Sequence, residues 1–152
     1  MHSAAAVIGA IKACAAAVAL LAAEPQGVAP PHVSGPVCLD VVAAADRWGV
    51  DPALALATAY RESTLWRDVE SPAGARGPMQ VMPVHGDGDL IDLGVGVLRR
   101  YVDRRARECG SDPPDDVLAE AICDYRCGYG RCDDCSAGRS RIALAQRIRS
   151  AW

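Results

Sequence analysis

A chain of 152 residues with a formal charge of -3 can bury one adequate core, and it has no basic run or aromatic-interleaved patch that would argue for nucleic acid. Phe is absent and aromatics are only 5% of the residues, so the core must be built from Ala, Val, Leu and Ile, which predicts closely packed helices.

Residues 4 to 23 carry one charge, Lys12, and the run from Ala13 to Ala23 is short, apolar and Ala-rich. It reads as a secretory signal with an h-region of ordinary length. An uncleaved anchor is the alternative, against which Lys12 interrupts the length a spanning helix needs. Residues 1–23 are therefore assigned to a signal peptide or N-terminal anchor. Glu24 to Pro36 holds four prolines and two glycines, which predicts an extended linker over 24–36 and a folded domain over 37–152.

Residues 38 to 48 place Cys38, Val41, Val42, Ala45 and Trp48 at helical intervals and stop at Gly49. Asp51-Pro52 then supplies an N-cap and an N1 proline for a short helix over 52–62. Glu62 falls on the last turn of that helix. There it faces the negative end of the helix dipole and the apolar Tyr60, Leu65 and Trp66, and both effects disfavour its ionisation. A raised pKa is what a general acid needs, although a Glu near a helix end is ordinarily a solvated charge.

A Gly/Pro-rich turn follows, Ser71-Pro72-Ala73-Gly74-Ala75, and then Gly77-Pro78-Met79-Gln80-Val81-Met82-Pro83. Taken alone, Met79 reads as a core gap-filler and Gln80 as an exposed amide. Most glycosidases require a second carboxylate. Asp68, Glu70, Asp87, Asp89 and Asp92 lie downstream, yet no pattern singles one out, and turn residues and N-caps are the ordinary uses of Asp. The chemistry that fits is cleavage of a glycosidic bond with one carboxylate.

Residues 90 to 108 put Leu90, Leu93, Val97, Leu98, Tyr101 and Val102 on one face, with Asp89 as N-cap and Gly110 just beyond the end. Gly94-Val95-Gly96 within it is too short for a phosphate loop. A further helix is predicted from about Pro113 to Tyr125, capped by Asp112, and a last one from about Ser140 to Arg149 with Ile142, Ala145 and Ile148 inward. Arg126 to Gly138 between them reads as a Cys/Gly-rich loop. The Arg residues of these later helices are mixed with Asp, so a solvated face is their default reading.

The segment Arg61-Glu62-Ser63-Thr64-Leu65-Trp66, the Ser71-x-x-Gly74-Ala75 turn and the Gly77-Pro78-Met79-Gln80-x-x-Pro83 element resemble the signature of the SLT-type lytic transglycosylases and goose-type lysozymes. A later block, Ala121-Ile122-Cys123-Asp124-Tyr125-Arg126-Cys127-Gly128-Tyr129-Gly130, resembles that family's Ala-x-x-Tyr-Asn-Ala-Gly-x-Gly element. Arg126 stands at the Asn position and Cys127 at the Ala position, and Pro78 replaces Leu. The resemblance spans roughly residues 37 to 130. It implies an all-α fold, a mainly helical α+β fold at most, as one lysozyme-like domain.

It also implies non-hydrolytic cleavage of the MurNAc-GlcNAc β-1,4 bond of peptidoglycan glycan strands to 1,6-anhydro-muramoyl ends. Glu62 takes the acid and base role, and Ser63, Met79, Gln80 and Tyr125 contact substrate or shape its sites. On the residues alone, Tyr125 reads as a buried tyrosine whose hydroxyl is satisfied by a neighbour. No cofactor, no catalytic metal and a monomer are expected. The leader and the small size resemble compact periplasmic transglycosylases, which makes a secretion or conjugation machine a candidate partner and the periplasm or the exterior the expected location, with membrane contact through the N-terminal segment only. A hydrolytic muramidase using Asp68, Glu70, Asp87 or Asp89, a peptidoglycan-binding module without turnover, and a zinc-stabilised interaction module are the other readings.

Seven cysteines occur, and setting Cys14 aside with the leader leaves Cys38, Cys109, Cys123, Cys127, Cys132 and Cys135. An even number in an exported chain points to three disulfides with fifteen possible connectivities, among which a Cys38 to Cys109 or Cys38 to Cys123 bridge would tie the start of the fold to its later half. The rival is zinc held by the 123/127/132/135 cluster.

Overall fold

The computed structural model of the chain describes residues 4–24, 33–109, 114–128, 130 and 135–152. Among the described residues six helices make up the regular structure: α1 Ala4–Ala22, α2 Gly35–Trp48, α3 Pro52–Ser63, α4 Leu90–Cys109, α5 Asp115–Cys127 and α6 Ser136–Ala151, with one 3-10 turn at Pro83–His85. No strand forms among the described residues; two isolated bridges, Glu70 with Arg76 and Arg76 with Val81, pin the irregular segment between α3 and α4. The all-α expectation is met.

Local chemistry sets the helix limits. Ser34 accepts a hydrogen bond from Val37 N and caps α2, which starts three residues before Cys38, and Gly49 ends it in the left-handed conformation at φ 62°. Asp51 accepts from Ala53 N at 3.1 Å, Pro52 occupies the first turn, and α3 runs one residue past its expected end to Ser63. Asp89 caps α4 by accepting from Ile91 N and Asp92 N. The expected cap Asp112 lies outside the described residues, and Pro114 stands at the start of α5 without a side-chain cap bond.

α3 is the central element, with every residue from Ala53 to Tyr60 buried. A helix apolar on all sides belongs inside a core, and its small alanines let neighbours approach closely. α2 and α6 pack against it, while α4 packs on α2 and α5, and α5 on α6. The two later helices do not meet the expected limits. α5 continues to Cys127 and α6 begins at Ser136, so both ends of the predicted Arg126 to Gly138 loop are helix. A glycine inside a helix reads as a breaker from sequence, but at Gly138 a Cβ would lie 2.1 Å from the Ala119 carbonyl oxygen of α5. The glycine is there for a close helix crossing.

α1 is docked on this core. Cys14, Ala17 and Leu21 form its buried stripe, spaced for one helix face, while Val7, Ile8 and Ile11 are exposed. Cys14 forms a disulfide with Cys38, Tyr60 donates a hydrogen bond to the Leu21 carbonyl at 3.0 Å, and buried Glu24 ion-pairs with Arg61 and Arg147. The pairing of Cys38 with Cys109 or Cys123 is thereby corrected: its partner is Cys14, brought alongside by the packing of α1 on α2. Cys127 is also disulfide-bonded and Cys135 carries a free thiol, so the scheme of six paired cysteines does not hold. Cys132 lies outside the described residues, as do residues 25–32 of the predicted 24–36 linker, whose last two residues, Gly35 and Pro36, belong to the first turn of α2.

Candidate functional site

Glu62 is the penultimate residue of α3, and its carboxylate is only 15% exposed. The chain turns sharply behind it: Thr64 and Leu65 both take positive φ, at 56° and 61°, which side chains with a Cβ seldom adopt. The turn is held by Ser63, whose hydroxyl donates to Pro78 O at 2.8 Å while its oxygen accepts from Trp66 N at 3.2 Å. Ser63 therefore joins the end of α3 to the Gly-Pro-Met-Gln segment.

That segment is built against α4. Met79 is fully buried, and a Cβ on Gly94 would come within 2.2 Å of the Met79 Cβ, so the Gly94 notch receives the Met79 side chain. Gln80 has φ 50°, and its side-chain amide donates to Gly77 O at 3.0 Å, which closes the turn locally. From α5, Tyr125 donates its hydroxyl to Met79 O at 2.5 Å. Ser63, Met79 and Tyr125 thus meet around one loop beside Glu62, with Gln80 in the same turn. Met79 has the core position and Tyr125 the satisfied hydroxyl that the residues alone predicted.

The group that sequence reading missed is Arg141. It lies on α6, is 5% exposed, and donates from Nη2 to Glu62 Oε1 at 2.6 Å. Its Nη1 also donates to Ala137 O at 3.4 Å, which seats the guanidinium on its own helix. Burial pushes the Glu62 carboxyl above the ordinary carboxylate range, against the opposing charges of Arg141 and then Arg126. Burial likewise pulls Arg141 below its ordinary value, with Glu62 pulling the other way. Tyr125 is raised by burial first and by the Glu62 charge second. Arg126, at the position where the family pattern has Asn, is exposed yet acts on Glu62 through its charge.

Tyr60 and Leu65 are buried as expected of apolar neighbours, but Trp66 is 42% exposed, so the apolar setting lacks that wall. The candidate second carboxylates are scattered in their uses. Asp87 pairs with Arg76 at 2.6 Å, Asp89 caps α4, and Asp92 pairs with Arg47 at 2.7 Å. Asp68 and Glu70 are exposed on the segment after α3. No cluster of three or more metal-ligating side chains occurs among the described residues.

α4 and α5 are joined beside the site by a part-buried ion pair. Arg105 reaches Asp124 in bidentate fashion, Nε to Oδ2 at 2.8 Å and Nη2 to Oδ1 at 3.1 Å, and Gly130 N donates to the same carboxylate at 3.0 Å. Asp124 is 1% exposed and directly precedes Tyr125, so this pair fixes the helix turn that aims the tyrosine at Met79.

The family model for the Transglycosylase SLT domain matches residues 41–95, a stretch that begins in α2, contains Glu62, Ser63, Met79 and Gln80, and ends in α4. The resemblance read from the motifs is borne out over that stretch, and Tyr125, Arg126 and Arg141 lie beyond it. No curated protein and no solved structure matches the chain.

Proposed function

We propose that the chain is a peptidoglycan lytic transglycosylase that cleaves the MurNAc-GlcNAc β-1,4 bond without water. The observation that carries this reading is a single shielded carboxylate, Glu62, at the end of α3 within the SLT-matching stretch, with its pKa raised by burial. Glu62 gives its proton to the bridging oxygen as the C1–O bond breaks and positive charge develops on the muramoyl C1. The Glu62 carboxylate then takes the proton of the muramoyl 6-hydroxyl, whose oxygen closes on C1. Glu62 ends protonated, as it began, and no second carboxylate is used. Arg141, at 2.6 Å, offsets the carboxylate charge that exists between the two proton transfers. Ser63 and Tyr125 act through the loop they hold, and Met79 and Gln80 shape the sugar sites.

The same reading places the protein in the cell envelope. α1 is long and apolar enough to cross a membrane by length and composition, and disulfides belong to oxidising compartments. The Cys14–Cys38 bond and the Tyr60 to Leu21 hydrogen bond favour retention of residues 1–23 over cleavage, because a cleaved leader forfeits both, and they hold α1 against the domain as a packed helix.

Digestion of purified sacculi tests the reaction. The expected muropeptides end in 1,6-anhydro-muramoyl residues, read by mass spectrometry. Reducing ends that carry labelled oxygen from water replace this reading with that of a hydrolytic muramidase.

A further inference from the structure

A cleft of about 370 Å³ lies between the Pro83–His85 turn and α4, away from Glu62. Arg100, Arg104 and Arg107 line it together with Tyr101, His85 and Asp103, and Glu62 is not among its walls. The three arginines stand at positions i, i+4 and i+7, which puts them on one face of the helix. Like charges at that spacing repel and lower helix stability, so the stripe is not explained by folding. Asp103, the acid of the lining, is bonded to Arg99 at 2.8 Å, so its charge is already matched from outside the cleft. Arg104 lies 3.9 Å from Glu108, whereas Arg100 and Arg107 present exposed guanidinium groups.

The cleft is connected to the site. His85 follows Met79 and Gln80 by a few residues on the same segment. Tyr101, on a wall of the cleft, lies in the neighbourhood of Tyr125, whose hydroxyl donates to Met79 O. A glycan strand lying past Met79 and Gln80 therefore continues toward a pocket that is positive and aromatic. The sugars of that strand are largely neutral, and its regular anionic groups are the carboxylates of the peptide stems on the muramoyl lactyl ethers.

Resting on the transglycosylase reading, we infer that the cleft walled by Arg100, Arg104 and Arg107 is a subsite for peptide-stem carboxylates, which makes the chain selective for peptide-bearing strands over naked glycan. Guanidinium groups suit this ligand because each can donate two parallel hydrogen bonds to one carboxylate. The surface setting makes the contact salt-sensitive.

The test uses the full chain and two glycan preparations from the same sacculi, one with stems intact and one stripped of them by an amidase. Binding is measured in the Glu62→Gln background, and cleavage in the parental chain and in an Arg100→Gln/Arg107→Gln double variant. The expected result is about 10-fold tighter binding of stem-bearing strands, a preference that fades with added salt, and its loss in the double variant while stripped strands are cleaved at the parental rate. Equal binding of both preparations, or a preference that persists in the double variant, overturns the subsite and leaves the cleavage reading intact. Stem-dependent binding that needs the two arginines, without cleavage of either strand by the parental chain, supports the subsite and sinks the cleavage reading instead.

Discussion

Arg141 of α6 and Glu62 of α3 form an ion pair at 2.6 Å across 79 residues of sequence, with side-chain exposures of 6% and 15%. Each group is pushed toward its neutral form by burial and held toward its charged form by the other. Burial favours the acid form of Glu62 and Arg141 the carboxylate, the two states that one residue must occupy in turn when it serves as both acid and base.

Replacing Glu62 by Gln keeps the shape and an acceptor for Arg141 while removing the transferable proton. Glycan cleavage should fall by at least ~10²-fold, the usual scale for deleting a general acid or base, with the circular dichroism spectrum unchanged. Clearance of cell walls by Glu62→Gln at the parental rate removes Glu62 from the mechanism.

Arg141 should govern the pH profile. Glu62 works as an acid only while protonated, so kcat/KM falls as pH rises through its pKa. Burial raises that pKa and the Arg141 charge lowers it. Arg141→Gln takes away the lowering influence, so the falling limb should move to higher pH, whereas Arg141→Lys keeps the charge and should leave the limb near its parental position. A limb that does not move in a stably folded Arg141→Gln variant disproves the coupling.

α3 and its caps were legible because their signals are local: Asp51 and Pro52 start the helix, and alternation of small apolar residues fills it. Ser63, Met79 and Tyr125 were singled out by the family resemblance of their motifs, and all three meet around the Pro78–Met79 loop. Arg141 was not legible because an arginine among other arginines reads as a solvated face. A signal existed, since Gly138, Arg141, Ala145 and Ile148 recur at helical spacing on the buried side of α6. The inward position of Arg141 asked for a carboxylate partner that only tertiary packing names. The extent of α5 and α6 was hidden for a related reason, because Gly138 has the composition of a loop and the packing duty of a helix crossing.

Gly94→Ala should damage the site from behind. The new methyl would sit 2.2 Å from the Met79 Cβ, and Met79 cannot retreat from a fully buried position without shifting the backbone carbonyl that Tyr125 binds. Overpacking of this kind costs about 1–3 kcal/mol, and cleavage should fall more than the melting temperature alone accounts for. Tyr125→Phe separates the two effects: it removes one hydrogen bond, costs roughly 1 kcal/mol, and leaves the Gly94 notch untouched. If Gly94→Ala behaves like an ordinary surface substitution in both assays, the packing of Met79 into α4 is not what positions the loop.

The N-terminal helix supplies the last prediction. Cys14 and Cys38 are 24 residues apart and bonded, and a cross-link closing a loop of that size contributes roughly 3 kcal/mol, in the chain-entropy view by restricting the unfolded chain. Tyr60 and Arg61, the two residues before Glu62, are also those that hold Leu21 and Glu24 at the end of α1. Glu24 reaches Arg147 on α6 as well, so α1 braces the two helices that carry Glu62 and Arg141. Reduction, or the Cys38→Ser substitution, should therefore lower Tm by several degrees and lower cleavage with it, while peptide mapping of the non-reduced protein should recover the segments around Cys14 and Cys38 as one linked species. Recovery of a mature chain that begins after residue 23, with full activity and with Cys38 alkylated without reductant, would show that α1 is a discarded leader and not a brace.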